Sequence, residues 1–130
     1  MIISVVFTLG NLGEALIETA GHILGESVSV RSLSLDWNED LNSARERLSG
    51  YVANIEHDDG LLFLTDILGS TSTNLALEHY KVGSVEVVSG VNLPMIIKAL
   101  TFSRETSLSE AAGILRNQGR KSILRASDLF

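Results

Sequence analysis

Short apolar runs alternate along this chain with stretches in which apolar residues recur every three or four positions, and that alternation leaves few architectures open. Ile2 to Thr8 is continuously apolar and rich in β-branched residues, as a strand covered on both faces must be. Gly10 and Gly13 break it, and Leu16, Ala20, Ile23 and Leu24 then form a helical stripe that stops at Gly25. Val28 to Leu35 alternates as a second strand, and Leu41, Ala44, Leu48, Val52 and Ile55 recur at helical spacing after a polar turn at Asp36 to Asp40. His57-Asp58-Asp59-Gly60 is a turn, Leu61 to Thr65 a third buried strand ending at Asp66, and Val85 to Val88 a fourth. A short helix through Leu75 and Leu77 separates the last two strands.

Pro94 suits the first turn of the next helix, where its missing N–H costs nothing. Ser107-Leu108-Ser109-Glu110 fits a capping box for the last helix, with Gly119 as its stop and Ser122 to Arg125 as one more short strand. Strand and helix alternate through short connections, which predicts an α/β fold: one doubly wound, mostly parallel sheet of four strands with helices on both faces. A length of 130 residues without linkers or repeats predicts a single domain over 1–130.

Composition narrows the function classes. The chain has no cysteine, which removes disulfides, thiolate metal sites and cysteine nucleophiles. Its net charge is −6 and its ten basic residues are scattered, so it has no nucleic-acid footprint; the acidic surface suits solubility and a basic protein partner. MIISVVF lacks a basic leader and reads as a strand, and no stretch approaches the roughly 20 apolar residues of a membrane helix. The expected setting is cytoplasmic.

In an open parallel sheet, ligands meet the loops at the carboxyl ends of the strands. Three such loops stand out: Thr8-Leu9-Gly10-Asn11, Asp66 to Asn74 and Ser89 to Pro94. Each is small-residued and precedes a helix, so free N–H groups and the helix dipole favour an anion, although glycines after strands also simply make turns. Asp66 is placed to orient an imidazole, bind magnesium or cap the next helix; Thr71 and Ser72 could donate to phosphate oxygens or cap the helix themselves. Gly10-Asn11-Leu12-Gly13 has too few glycines for a dinucleotide fingerprint, no phosphate-binding G-x-x-x-x-G-K-[ST] occurs, and His22, His57 and His79 have no metal-ligand spacing. No metal or cofactor is expected.

The stretches FTLGNLGEALIETAGHILGE, GLLFLTDILGSTSTN and VVSGVNLPMIIKAL, in this order, resemble the mannose-family enzyme IIA of the bacterial phosphoenolpyruvate-dependent sugar phosphotransferase system, over essentially the whole chain. Gly119-Arg120 also fits the family's last helix. The resemblance implies a phosphoryl carrier that takes phosphate from the histidine-phosphorylated carrier protein and hands it to a IIB partner. It further implies association with a membrane permease complex and a homodimer exchanging a C-terminal strand, here Ser122 to Arg125. The family's T-H-G reads Thr8-Leu9-Gly10, so the phosphoacceptor position is Leu9. The supporting aspartate falls on Asp66, and D-x-x-G-G-S-P reads Asp66-Ile67-Leu68-Gly69-Ser70-Thr71-Ser72, keeping a hydroxyl at Thr71 and losing the second glycine and the proline. The G-V-N-[IL]-P loop is intact from Gly90 through Asn92 to Pro94.

Leucine has no lone pair for phosphohistidine chemistry. Thr8 and Asn11 are weak nucleophiles, and an aspartyl-phosphate on Asp66 lacks a metal site to support it. Whether the chain is an enzyme therefore stays open. The reading taken here is a regulatory or partner-binding version of the family that does not carry phosphate, with Leu9 as an exposed apolar contact. The alternatives are an acceptor-replaced variant of an ordinary carrier and a small-molecule binder using the vacated pocket.

Overall fold

A computed structural model describes residues 1–130. Four strands, β1 (Ile3–Leu9), β2 (Arg31–Leu35), β3 (Leu61–Thr65) and β4 (Val85–Ser89), form one sheet in the order β2-β1-β3-β4. All three pairings are parallel, with Phe7 opposite Leu33 on one side and Thr65 on the other. Between and after the strands run α1 (Leu12–Leu24), α2 (Leu41–Asn54), α3 (Thr71–Leu77), α4 (Leu93–Ala99) and α5 (Leu108–Lys121). The doubly wound α/β sheet expected from the alternation is the observed fold.

The two-residue period of the strands sorts the core into two layers. Val6, Leu62 and Leu64 face Ala20 of α1, Met95 and Ile96 of α4 and Ala111 and Leu115 of α5. Val5, Phe7, Leu61 and Phe63 face Ala44 and Leu48 of α2 and Leu75 and Ala76 of α3. Every residue of β3 is buried, which is why its sequence is unbroken LLFLT rather than alternating.

Local signals set the helix ends. Gly25 closes α1 in the left-handed conformation (φ +69°), and Asp40 caps α2 by accepting from the Ser43 N–H at 3.1 Å. Ser107 caps α5, accepting from the Glu110 N–H at 3.2 Å while its hydroxyl donates to the Glu110 carboxylate at 3.1 Å.

Three expectations are corrected. β2 begins at Arg31, not Val28: Arg31 through Leu35 pair with Val5 through Leu9, while the chain before Arg31 forms no ladder with Ile3 and Ser4 of β1. Gly119 does not stop α5, which runs on to Lys121. It is buried, and a Cβ there would lie 2.8 Å from Met95 Sδ, so glycine lets α4 approach α5. Ser122 to Arg125 forms no strand within the chain: the Ser122 hydroxyl donates to the Gln118 carbonyl at 2.6 Å, and Arg125 enters a 3₁₀ turn, Ala126–Leu129, closed by Asp128.

Phe63 is fully buried, its ring centroid 6.3 Å from that of Phe7. Phe63→Ala is expected to destabilise the fold by about 3–5 kcal/mol, read as a lower denaturant midpoint at unchanged slope.

Candidate functional site

The sheet order makes the three loops neighbours. Val91 N–H donates to the Thr65 carbonyl at 2.9 Å, holding the loop after β4 against the end of β3. Leu9 N–H donates to Asp66 Oδ2 at 2.8 Å, joining the ends of β1 and β3.

Asp66 is the hub. Its Oδ1 accepts from Ser70 Oγ at 2.6 Å, Ser72 Oγ at 2.8 Å and the Ile67 N–H at 2.8 Å. Burial pushes the Asp66 carboxyl upward, but the bonds from Ser70, the Leu9 N–H, Ser72 and the Ile67 N–H outweigh it and hold the group below the ordinary carboxylate value. Each carboxylate oxygen has about two lone-pair sites; Oδ1 is filled by three donors that share them, and Oδ2, with one donor, keeps a place beside residue 9.

Leu9 ends β1 and is half-buried, packed beside Leu33 and Leu35 against the core layer that contains Phe7 and Leu35. The expectation of a freely exposed apolar contact is thereby corrected: the alternation that turns Val5 and Phe7 to this layer turns Leu9 there as well.

The other candidates are chiefly architectural. Thr8 is fully buried, and its hydroxyl accepts from the Gly13 N–H at 2.8 Å, capping α1 in place of Asn11, whose side chain makes no cap bond. Gly10 takes a left-handed conformation (φ +58°) that lets its N–H reach the Leu35 carbonyl at 2.9 Å. Gly69 does the same for the turn before α3 (φ +94°), and Ser70 caps that helix by accepting from the Thr73 N–H at 3.2 Å. Thr71 is exposed and makes no hydrogen bond to the cluster, so the hydroxyls that reach Asp66 are those of Ser70 and Ser72. Asn92 caps α4, accepting from the Met95 N–H at 3.1 Å, and its amide donates to the Gly119 carbonyl at 3.3 Å.

No cluster of three or more His, Asp or Glu side chains is arranged to hold a metal. A cavity of about 650 Å³ lies between β4 and α5; it is lined by Gly90 and Asn92 of the third loop and by Arg116 and Arg120, and neither Leu9 nor Asp66 lines it. Sequence reasoning passed over Trp37, which follows β2 and stands over Gly10; its being the chain's only tryptophan, in a loop at the carboxyl end of a strand, was the available signal.

Asp66→Asn puts an amide where four donors converge. If its oxygen takes the place of Oδ1, its NH₂ faces the Leu9 N–H and that bond is lost. The expected cost is about 1–3 kcal/mol at pH 7 by denaturant titration. A carboxyl whose folded pKa is lowered adds stability above its unfolded value, near pH 4, and loses it as pH falls through the lowered folded value. The deficit of Asp66→Asn should accordingly shrink below about pH 4.

Comparison with known proteins gives the family. Residues 4–114 match the EIIA-man family, described as "PTS system fructose IIA component". Over 126 residues the chain is 30% identical to the mannose-specific EIIAB component of Escherichia coli K12, covering 92% of this chain and 38% of that protein. The chain thus spans about two fifths of the length of that relative. It is also 25% identical to the fructose-specific EIIA component of Bacillus subtilis, over 92% of this chain and 82% of that one. The fold matches the mannose/sorbose-specific IIA subunit of Enterococcus faecalis (TM-score 0.83, 23% identity, 95% of this chain and 93% of that one). It matches phosphotransferase component EIIA of Streptococcus agalactiae equally well (TM-score 0.83, 23% identity, 98% and 99%). A loop arrangement in which an aspartate at the end of β3 holds the backbone at the end of β1, together with these matches, leads to one conclusion: the chain belongs to the EIIA-man family of the phosphotransferase system, as a mannose-type IIA component.

Proposed function

We propose that this IIA component docks the family's protein partners without accepting phosphate at position 9. The observation that carries the reading is that leucine stands where the resemblance puts the histidine, inside a frame whose aspartate is fully oriented. Phosphoryl transfer needs an in-line lone pair with donors around the developing charge. Leu9 supplies no lone pair, and the hydroxyls of Ser70 and Ser72 are already turned to Asp66 rather than free for a phosphoryl oxygen.

Those two serines sit where the family pattern has glycine and proline, so the departures away from Leu9 act on the same carboxylate that a histidine would engage. They give Asp66 partners of its own, which favours a natural non-carrier over a carrier with one residue replaced. The small-molecule reading loses its basis, because the large cavity does not open at Leu9.

The partners proposed are the histidine-phosphorylatable carrier protein and a IIB-like component, met in the cytoplasm next to a permease. No helix of the chain is long and apolar enough to cross a membrane. Homodimerisation by exchange of Ser122 to Arg125 belongs to the same proposal: β4 is an edge strand whose outer side is bridged only by Lys81 at Val85, and Ile123, Leu124, Leu129 and Phe130 are exposed beyond α5.

Incubation with phosphoenolpyruvate, enzyme I and the histidine carrier should leave the unmodified chain unlabelled. Leu9→His separates the two readings: uptake of label means that the site lacks only its acceptor, whereas no uptake means that Ser70 and Ser72 have also dismantled it. A label on the unmodified chain would falsify the proposal. For the assembly, sedimentation should give a dimer that becomes a monomer when residues 122–130 are removed; a dimer that survives the truncation contradicts strand exchange.

A further inference from the structure

We propose that Glu86 guards the outer edge of the sheet against a second copy of this chain: its carboxylate holds the Val87 N–H, and an incoming strand has to displace it. This rests on the reading that two copies exchange Ser122 to Arg125, and adds the residue that limits how tightly they do so. β4 ends the order β2-β1-β3-β4, so one side of it has no neighbouring strand. Ser84 turns its carbonyl inward, to the Leu61 N–H at 2.8 Å, whereas Val85 turns outward. On that outer side Lys81 and Val85 exchange N–H to carbonyl bonds of 3.0 and 2.9 Å. Alternate residues of a strand send their backbone groups to the same side, so Val87 and Ser89 face outward with Val85. The Val87 N–H is already taken: it donates to Glu86 Oε1 at 2.9 Å.

The place of Glu86 in the strand points to a guard. In Val85-Glu86-Val87-Val88-Ser89 the alternation gives Glu86 the same face as Val88, which packs on the layer of α1, α4 and α5. Glu86 is half-buried there and lines the cavity between β4 and α5. From that face its carboxylate turns back to the edge of its own strand. An inward-facing charge on an edge strand is one of the devices by which sheets resist further pairing, because a covering strand would bury the charge. Arg116 and Arg120 of α5 are the charged groups that line the same cavity, and neither forms an ion pair with Glu86. The Val87 N–H is therefore what holds the carboxylate in place.

Ser122-Ile123-Leu124-Arg125 is a short segment, so each backbone bond it makes matters. With Val85 engaged by Lys81, the outward groups left to it are those of Val87 and Ser89, and Glu86 withholds the Val87 N–H. Complete pairing leaves the carboxylate half-buried without that donor, which costs free energy. The guard loosens the pairing without forbidding it.

Sedimentation of the full chain over a dilution series gives the dissociation constant of the dimer. Glu86→Ala, its fold checked by circular dichroism, should lower that constant about tenfold, since both edges change at once. Glu86→Gln keeps an amide oxygen that accepts from Val87 and should lower it less. In the unmodified chain diluted to monomer, the Val87 N–H should exchange with deuterium several-fold more slowly than in Glu86→Ala. A monomeric unmodified chain whose Glu86→Ala variant dimerises would be the same result in its strongest form. Equal tightening by both variants overturns the guard, because loss of charge would then be the cause. An unchanged constant, an unchanged Val87 exchange rate, or a dimer that no dilution separates overturns it too; strand exchange still stands if removal of residues 122–130 gives a monomer. A chain that stays monomeric with glutamate, glutamine and alanine alike removes strand exchange, and this inference with it.

Discussion

The hydrogen bond from the Leu9 N–H to Asp66 ties the tips of the two central strands together, and the arrangement of the site follows from it. A parallel sheet brings successive loops to one edge but does not fix their tips. Here a single carboxylate takes the backbone N–H of one strand end, the N–H of the next loop residue and two hydroxyls from the start of α3. A half-buried carboxylate needs such partners, and the Leu9 N–H is the only one on Oδ2.

The same bonding satisfies the carboxylate with leucine at position 9. Ser70, the cap of α3, and Ser72, in its first turn, supply two of the donors, and no buried side-chain polar atom is left without a partner. Leu9 meanwhile extends the apolar layer of Val5 and Phe7 toward the surface.

Much of the fold was legible because strand burial and glycine or serine caps are local signals. The run LLFLT identifies β3 to the residue, and Gly25 and Ser107 mark helix ends by backbone and side-chain chemistry that needs no distant partner. Gly119 misled because its reason is tertiary: it admits Met95, a residue 24 positions earlier, and has the appearance of a stop only when the partner helix is out of view. The start of β2 lies where its pairing with β1 begins, which is a tertiary fact, and Ser122 to Arg125 has strand composition but no neighbour within its own chain. At the site, the three strand-end loops and their glycine turns were readable from the sequence, whereas the weight placed on position 9 came from the resemblance. That the serines rather than Thr71 serve Asp66 was not readable, since it depends on which faces of α3 turn inward: Ser72 is buried and Thr71 exposed.

The most direct measurement of the central claim is the intact mass of the unmodified chain after exposure to phosphoenolpyruvate, enzyme I and the histidine carrier, recorded without acid so that a labile phosphoryl group survives. The account predicts a mass identical to that of the untreated chain. An increase by one phosphoryl group would contradict it, for the site would then possess a nucleophile that Leu9 does not provide.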